Sequence, residues 1–250
     1  MNPSDFFLSN IKTLLDAIQT DEAPTIAAAA ALIRDQIAAN RLVHVFGVSG
    51  HSVIGGEEFF WRAGGLACVS PVFDLSLMLS GGGEKSTLLE RVPGVGDKVV
   101  RSLHLGPQDL LVIASIYGMN AATIDAALEA RKAGAKIIAI TSRQHASNTP
   151  PDFVARHPSR KNLHDLADVT IDNHVPHGDT IVGIPGQPQK VGAVSTMLVS
   201  FCIQSLVIET VRQCAEAGLE APVWQSANTV GGDAANERHF QNYAPRIKAL

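Results

Sequence analysis

Small polar side chains cluster directly after two apolar runs of the chain. Ser49, His51 and Ser52 follow the run 42–46, and Ser115, Tyr117, Gly118 and Asn120 follow the run 110–114. A third run, 136–140, leads into Thr141 and Ser142. Hydroxyls and amides at the start of helices, next to backbone N–H groups that lack intrahelical partners, can hold an anion without a lysine. Neither of the first two turns contains lysine or arginine. Such a donor set suits a sugar phosphate better than a nucleoside triphosphate, which normally also recruits a lysine and a magnesium ligand. Glu57 stands on the helix expected after the first turn, about one and a half turns past Ser52.

The elements that must position these groups follow from the apolar pattern. A short β-branched run that breaks into Gly47-Val48-Ser49-Gly50 reads as a buried strand, a tight turn and a helix start. The continuous run Leu110-Leu111-Val112-Ile113-Ala114 reads as a central parallel strand, followed by a helix over about 121–133, a stop at Gly134 and a strand over 136–140. Residues 66–72 and 168–172 give two further short strands, and a long helix spans about 192–217. Two amphipathic helices precede the first strand: Phe7, Ile11, Leu14, Leu15 and Ile18 repeat at helical spacing, as do Ile26, Ala30, Ile33 and Ile37. Residues 75–108 are cut into short pieces by glycine and proline, and 143–163 read as an extended surface loop with room for a helical turn. The polar tail from Pro222 onward must be anchored elsewhere in the molecule or form part of a site. Parallel strands of this kind bring the hydroxyl-bearing turns together at their carboxyl ends, where open α/β sheets bind ligands.

Composition narrows the function classes. A chain of 250 residues that is 46% hydrophobic and 18% charged can build one large α/β domain. A net charge of −4 with no basic stripe argues against nucleic acid. Cys68, Cys202 and Cys214 are odd in number and lie in apolar surroundings, so reduced core thiols in a cytoplasmic protein are expected. The amino terminus lacks the basic flank and apolar core of a signal peptide. The apolar stretch 191–208 carries Ser195, Thr196, Ser200, Gln204 and Ser205, which favours a buried or interface helix over a membrane span.

No cofactor is expected. The first turn lacks the third glycine of a dinucleotide fingerprint, and in Gly82-Gly83-Glu84-Lys85-Ser86-Thr87 the glutamate occupies the place of a P-loop glycine. The spacing His174-x-x-His177-x-Asp179 suits a metal, but no third histidine or cysteine pair supports it, so a loop lining a site or a subunit contact is preferred. Glu237 and His239 either reach a neighbouring site or cap the tail.

The three strand-turn segments Phe46–Ser52, Ile113–Asn120 and Gly134–Ser142, taken as a set, resemble the signatures of the sugar isomerase (SIS) domain. Further stretches, Glu57 to Gly65, Asp172 to Asp179 and Gln225 to Ile247, are similar to a bacterial subfamily of phosphosugar isomerases within it. The resemblance implies a flavodoxin-like three-layer αβα sandwich with a five-stranded parallel sheet plus N-terminal helices. It makes 1–250 one SIS domain, with a helical extension at 1–40, the αβα core at 41–217, and a tail at 218–250 that packs on the core or on a neighbour. It also implies a sugar phosphate in the cleft and a homodimer or homotetramer.

By position, family phosphate contacts fall on Ser52, Ser115 and Asn120; the first two turns add Ser49, Tyr117 and Gly118, and the third adds Ser142, as candidate contacts. Tyr117 departs from the family pattern, standing where a second serine is common. Aldose–ketose interconversion needs a base beside a carbonyl and donors on the enediolate oxygens. Glu57 is the candidate base, against a solvated carboxylate paired with Arg62. His51 is either the ring-opening acid or a turn residue. A non-catalytic phosphosugar sensor and an amino-sugar phosphate deaminase or etherase remain as alternatives.

Overall fold

The computed structural model describes residues 2–250. Its framework is a five-stranded sheet with strand order β2-β1-β3-β4-β5. The strands are β1 (Val43–Gly47), β2 (Val69–Pro71), β3 (Leu110–Ala114), β4 (Lys136–Thr141) and β5 (Val169–Asp172), and every neighbouring pair is parallel. This is the flavodoxin-like order, and its switch point lies between β1 and β3, the strands whose turns carry the polar clusters.

Alternation along the strands divides the interior into two cores. Val43, Val45, Leu110, Val112, Ile138 and Ile140 face one side, and Leu111, Ile113, Ile137 and Ala139 face the other. The first side is covered by α1 (Pro3–Asp21), α2 (Ala23–Ala38) and the long α8 (Ser195–Glu216), through Ile18, Ile33, Leu198 and Leu206. The second is covered by α5 (Gly96–Arg101) and α6 (Ala121–Lys132). Alanines at 122, 126, 127 and 130 let α6 lie close to the sheet.

α8 is long and apolar enough to cross a membrane by length and composition, yet one face of it forms the core against α2. Cys68, Cys202 and Cys214 are all buried and unpaired.

Several boundaries differ from expectation. α1 starts at Pro3, before Phe7, the first residue of its apolar repeat, because Asn2 accepts the Ser4 N–H at 2.9 Å and Pro3 opens the first turn. β2 is shorter than 66–72 suggested, since only residues 69–71 find partners on β1. The stretch 143–163 does open with the helical turn it had room for: Ser142 caps a short helix, α7 (Arg143–Asn148), accepting the His145 N–H at 3.0 Å. A small antiparallel hairpin, β6 (Thr180–Val182) with β7 (Val191–Ala193), precedes α8. The tail contains α9 (Gly232–Tyr243) and packs back on the chain. Gly64 donates to the Trp224 carbonyl at 2.8 Å, Trp224 donates to that of Gly65 at 2.9 Å, and Asn236 bonds both backbone groups of Gln225.

Candidate functional site

At the carboxyl ends of β1 and β3 the two polar turns meet. Ser52 lies in a 3-10 turn (Gly50–Val53) that runs into α3 (Ile54–Phe59), and its Oγ accepts the Ile116 N–H at 3.0 Å. One side chain thus fastens the first turn to the second. Close packing beneath completes the junction, because a Cβ on Gly55 would sit 2.2 Å from the Ala114 Cβ. In the second turn the Ser115 Oγ accepts the Gly118 N–H at 3.1 Å and lies 3.1 Å from the Thr123 hydroxyl. Gly118 adopts φ +62, and a Cβ there would fall 2.3 Å from Thr141 Oγ1, so only glycine fits this bend.

Between the turns lies a cleft of about 400 Å³, walled by Ser49, His51, Ser52, Ser115, Tyr117 and Asn120 and closed by Thr87, Glu90 and Asp179. Glu90 comes from the end of α4 (Gly83–Glu90), a short helix that folds over the first turn. Ser86 of that helix donates to the Leu77 carbonyl at 2.5 Å and accepts the Gly50 N–H at 3.3 Å, which brings Glu90 over the cleft. The Ser49 hydroxyl donates to the Glu90 carboxylate. Burial nonetheless pushes the Glu90 carboxyl above its ordinary range, with Ser49, Arg91 and Asn120 pulling the other way.

Asn120 caps α6 by position but makes no side-chain bond to it, so the first N–H groups of that helix keep no side-chain partner. The Oδ1 of Asn120 is buried without a hydrogen-bond partner. Asp179 is engaged elsewhere: it accepts from the N–H groups of Val194 and Ser195, at 3.0 and 2.8 Å, and from the Ser195 hydroxyl at 2.8 Å.

Tyr117 forms one wall and is held by stacking. Its ring lies on that of His145 at 3.6 Å, and His145 stacks on His177 at 4.6 Å. Burial drives the His145 imidazole down to about 4, reinforced by His177 and Arg156, so it is neutral at pH 7. Burial, with the charges of Asp179 and Glu90, keeps the Tyr117 phenol protonated and able to donate.

The expected site residues are not all in this cleft. Ser49, His51, Ser52, Ser115, Tyr117 and Asn120 line it. Gly118 lies just behind as the bend, and Ser142 is fully buried, donating to the Val175 carbonyl at 2.6 Å while it caps α7. Glu57 is exposed and faces a neighbouring hollow of about 280 Å³ that shares Gly50, His51 and Leu79 with the cleft. Arg62 pairs with Glu58 at 2.7 Å rather than with Glu57. His174, with φ +51, stands 3.5 Å from Glu22. His239 is buried edge-on to Trp224, and Glu237 accepts from Gln241 at 2.9 Å, both outside the cleft lining. No cluster of metal-ligating side chains is present among the described residues.

A family model described as "SIS domain" matches residues 6–142. The chain belongs to the SIS domain family. A UPF0309 protein of Geobacillus kaustophilus is 34% identical over 244 residues, spanning 98% of this chain and 95% of its own. Another, from Brucella canis, is 36% identical over 243 residues, covering 97% of each. Among solved structures, the phosphoheptose isomerase GmhA of Neisseria gonorrhoeae superposes with a TM-score of 0.53 at 17% identity, over 84% of this chain and 95% of that one. That likeness is one of fold.

Within this SIS domain, Glu90 is the residue that sequence reasoning did not single out. It sits in a segment fragmented by Gly81, Gly82, Gly83, Pro93 and Gly94, where no hydrophobic period announces a buried face. Its position depends on the Ser86 contacts with residues 50 and 77, which are tertiary and leave no local mark. The only available signal was the short helix start after Gly83.

Proposed function

We propose that the protein is an aldose–ketose isomerase of a sugar phosphate, with Glu90 as the group that moves the proton. The observation that carries this reading is a carboxyl of raised pKa set between two fastened turns of hydroxyl and amide donors. A carboxylate tuned upward is better matched to proton abstraction near neutral pH than a fully solvated one. The sugar's phosphate would lie on the uncapped first turn of α6, where the helix dipole favours an anion.

Glu90 takes the proton from C2 of the open-chain aldose, and the electron pair becomes the enediolate double bond as O1 gains the charge. Tyr117 and Ser115 line the cleft as donors for the enediolate oxygens; the O2 hydroxyl proton passes to O1, and return of the first proton from Glu90 to C1 as the C2 ketone forms completes the balance. Glu57 stays in this reading as the alternative base, reaching the sugar from the hollow beyond His51, and His51 as the titratable side chain that lines both spaces.

The test is a thermal-shift screen of sugar phosphates, followed by proton NMR of each ligand in heavy water. Deuterium should enter at C2 with the wild type, and Glu90→Gln should abolish the uptake while leaving binding within a few-fold. Loss of uptake with Glu57→Gln alone moves the base to Glu57. Binding with no uptake in the wild type makes the protein a phosphosugar sensor and ends the isomerase reading.

One feature favours a second reading. No lysine or arginine lines the cleft, whereas Glu90 does, so a ligand that itself carries an ammonium would be well matched. An amino-sugar phosphate is therefore included in the screen, with ammonia release measured alongside deuterium uptake. The reading places the enzyme in the cytoplasm, in keeping with its three unpaired buried thiols, as a homodimer or homotetramer that covers the exposed Phe6, Leu8 and Ile208. Light scattering measures that state.

A further inference from the structure

A second polar pocket lies against the outer strand β2, and it shares no lining residue with the cleft. It measures about 460 Å³, and its walls present His44, His104, Arg246 and Lys248 with the hydroxyls of Ser70 and Ser102, and no aspartate or glutamate. In a chain of net charge −4 this local balance has the opposite sign to the whole.

The cations are held there by the fold. Ile247 is 2% exposed and pins the tail, which leaves its neighbours Arg246 and Lys248 at the mouth of the pocket. Arg246 is further fixed by hydrogen bonds to the Asn40 carbonyl at 2.8 Å and side chain at 3.1 Å, and its guanidinium stands 5.6 Å from the centre of the Tyr243 ring. His104 occupies a left-handed bend, φ +53, just past α5. At the inner wall, partial burial lowers the affinity of the His44 imidazole for a proton, with the Asp109 charge pulling the other way, and its Nδ1 is sealed from solvent with no hydrogen-bond partner. Buried ring nitrogens in native proteins normally find a partner.

We propose that this pocket binds a small phosphorylated molecule at a site separate from the cleft. A guanidinium presents a planar pair of donors to phosphate oxygens, a lysine adds a point charge, and hydroxyls and imidazoles complete the shell. The volume exceeds that of a single phosphate and includes Val72 and Phe73 on one wall, so the ligand carries an organic body or a second phosphate.

The test is calorimetric titration of the full chain with inorganic pyrophosphate in chloride buffer, with sulfate as the comparison ion. Pyrophosphate should bind saturably and weaken as salt is added, because Arg246 and Lys248 are exposed. The double variant His104→Ala/Lys248→Ala, at two exposed positions and checked for an unchanged fold by circular dichroism, should lower affinity at least tenfold. Asn120→Ala, in the cleft, should leave it within twofold. The proposal is overturned by the absence of saturable binding, by unchanged affinity in the double variant, or by an equal loss with Asn120→Ala, which would place the ligand in the cleft. Equal binding of sulfate and pyrophosphate means an adventitious ion only and overturns it as well. None of these outcomes bears on the isomerase reading, which is decided by deuterium uptake.

Discussion

The cleft and the basic pocket recognise charge by opposite means. In the cleft the donors are neutral, the backbone is bent into positions only glycine tolerates, and a carboxyl is held where it resists ionisation. In the basic pocket formal charges are set on a surface tail, and the backbone beneath is an ordinary strand edge. Preorganised dipoles in a partly buried site act strongly and lower the stability of the fold around them. Exposed charges act weakly, are screened by salt, and cost the fold little. The difference teaches which region can be altered without consequence for folding, and the two should separate under mutation.

The largest separation is expected in the chemistry. Glu90→Gln should lower the isomerisation rate by roughly 10²- to 10⁴-fold, the usual span for loss of a positioned acid–base group. An NMR exchange assay that finds full rate in this variant removes the cleft's catalytic character from the comparison. Next, Gly118→Ala combines a left-handed backbone with a contact to Thr141 that cannot be relieved by a flexible side chain, and should destabilise by about 2–4 kcal/mol in urea unfolding. Ser52→Ala should follow, at about 1–3 kcal/mol, because it leaves the buried Ile116 N–H unpaired. Lys248→Ala should stay within about 0.5 kcal/mol of wild type, and His104→Ala, at its left-handed bend, within about 1 kcal/mol. A large loss there would show the basic pocket to be a structural element and not an independent surface.

Acidity offers a further way to sharpen the contrast, and the two cleft-side groups have opposite signs. The folded-state pKa of Glu90 is raised, so the folded state holds its proton longer and loses stability as pH rises from the ordinary glutamate value through the raised one. His145 is depressed to about 4, so its contribution is complete above the ordinary histidine value and is lost as pH falls from there toward 4. Denaturation curves across that range for Glu90→Gln and His145→Asn should each flatten one limb of the wild-type profile. A Glu90→Gln profile, in which the opposing carboxyl is gone, with no decline between pH 6.5 and 4 would contradict the depressed His145.

Much of the scaffold was legible because β1, β3 and β4 are buried on both faces and therefore read as unbroken apolar runs. Their turns were legible for the same reason, since polar residues directly after such runs must lie at strand ends. The hairpin β6–β7 was not, because its strands have three residues each and are separated by Gly183, Pro185, Gly186 and Pro188. The tail helix α9 was hidden by its polarity. It buries Asn236 and His239 rather than aliphatic residues, and its anchor is the pair of Asn236 bonds to Gln225. Among candidate site residues, Ser142 shows the ambiguity of a serine after a strand: its position suggested a ligand contact, and its hydroxyl serves a helix cap and a neighbouring carbonyl.

The single hydroxyl that joins the turns after β1 and β3 also limits how such a chain can diverge. A residue inserted into or deleted from either turn would carry Ser52 away from the Ile116 amide, so length changes there should be selected against. Insertions and deletions in related chains should instead gather in stretches tied to neither turn, such as the exposed crest between Gly183 and Lys190.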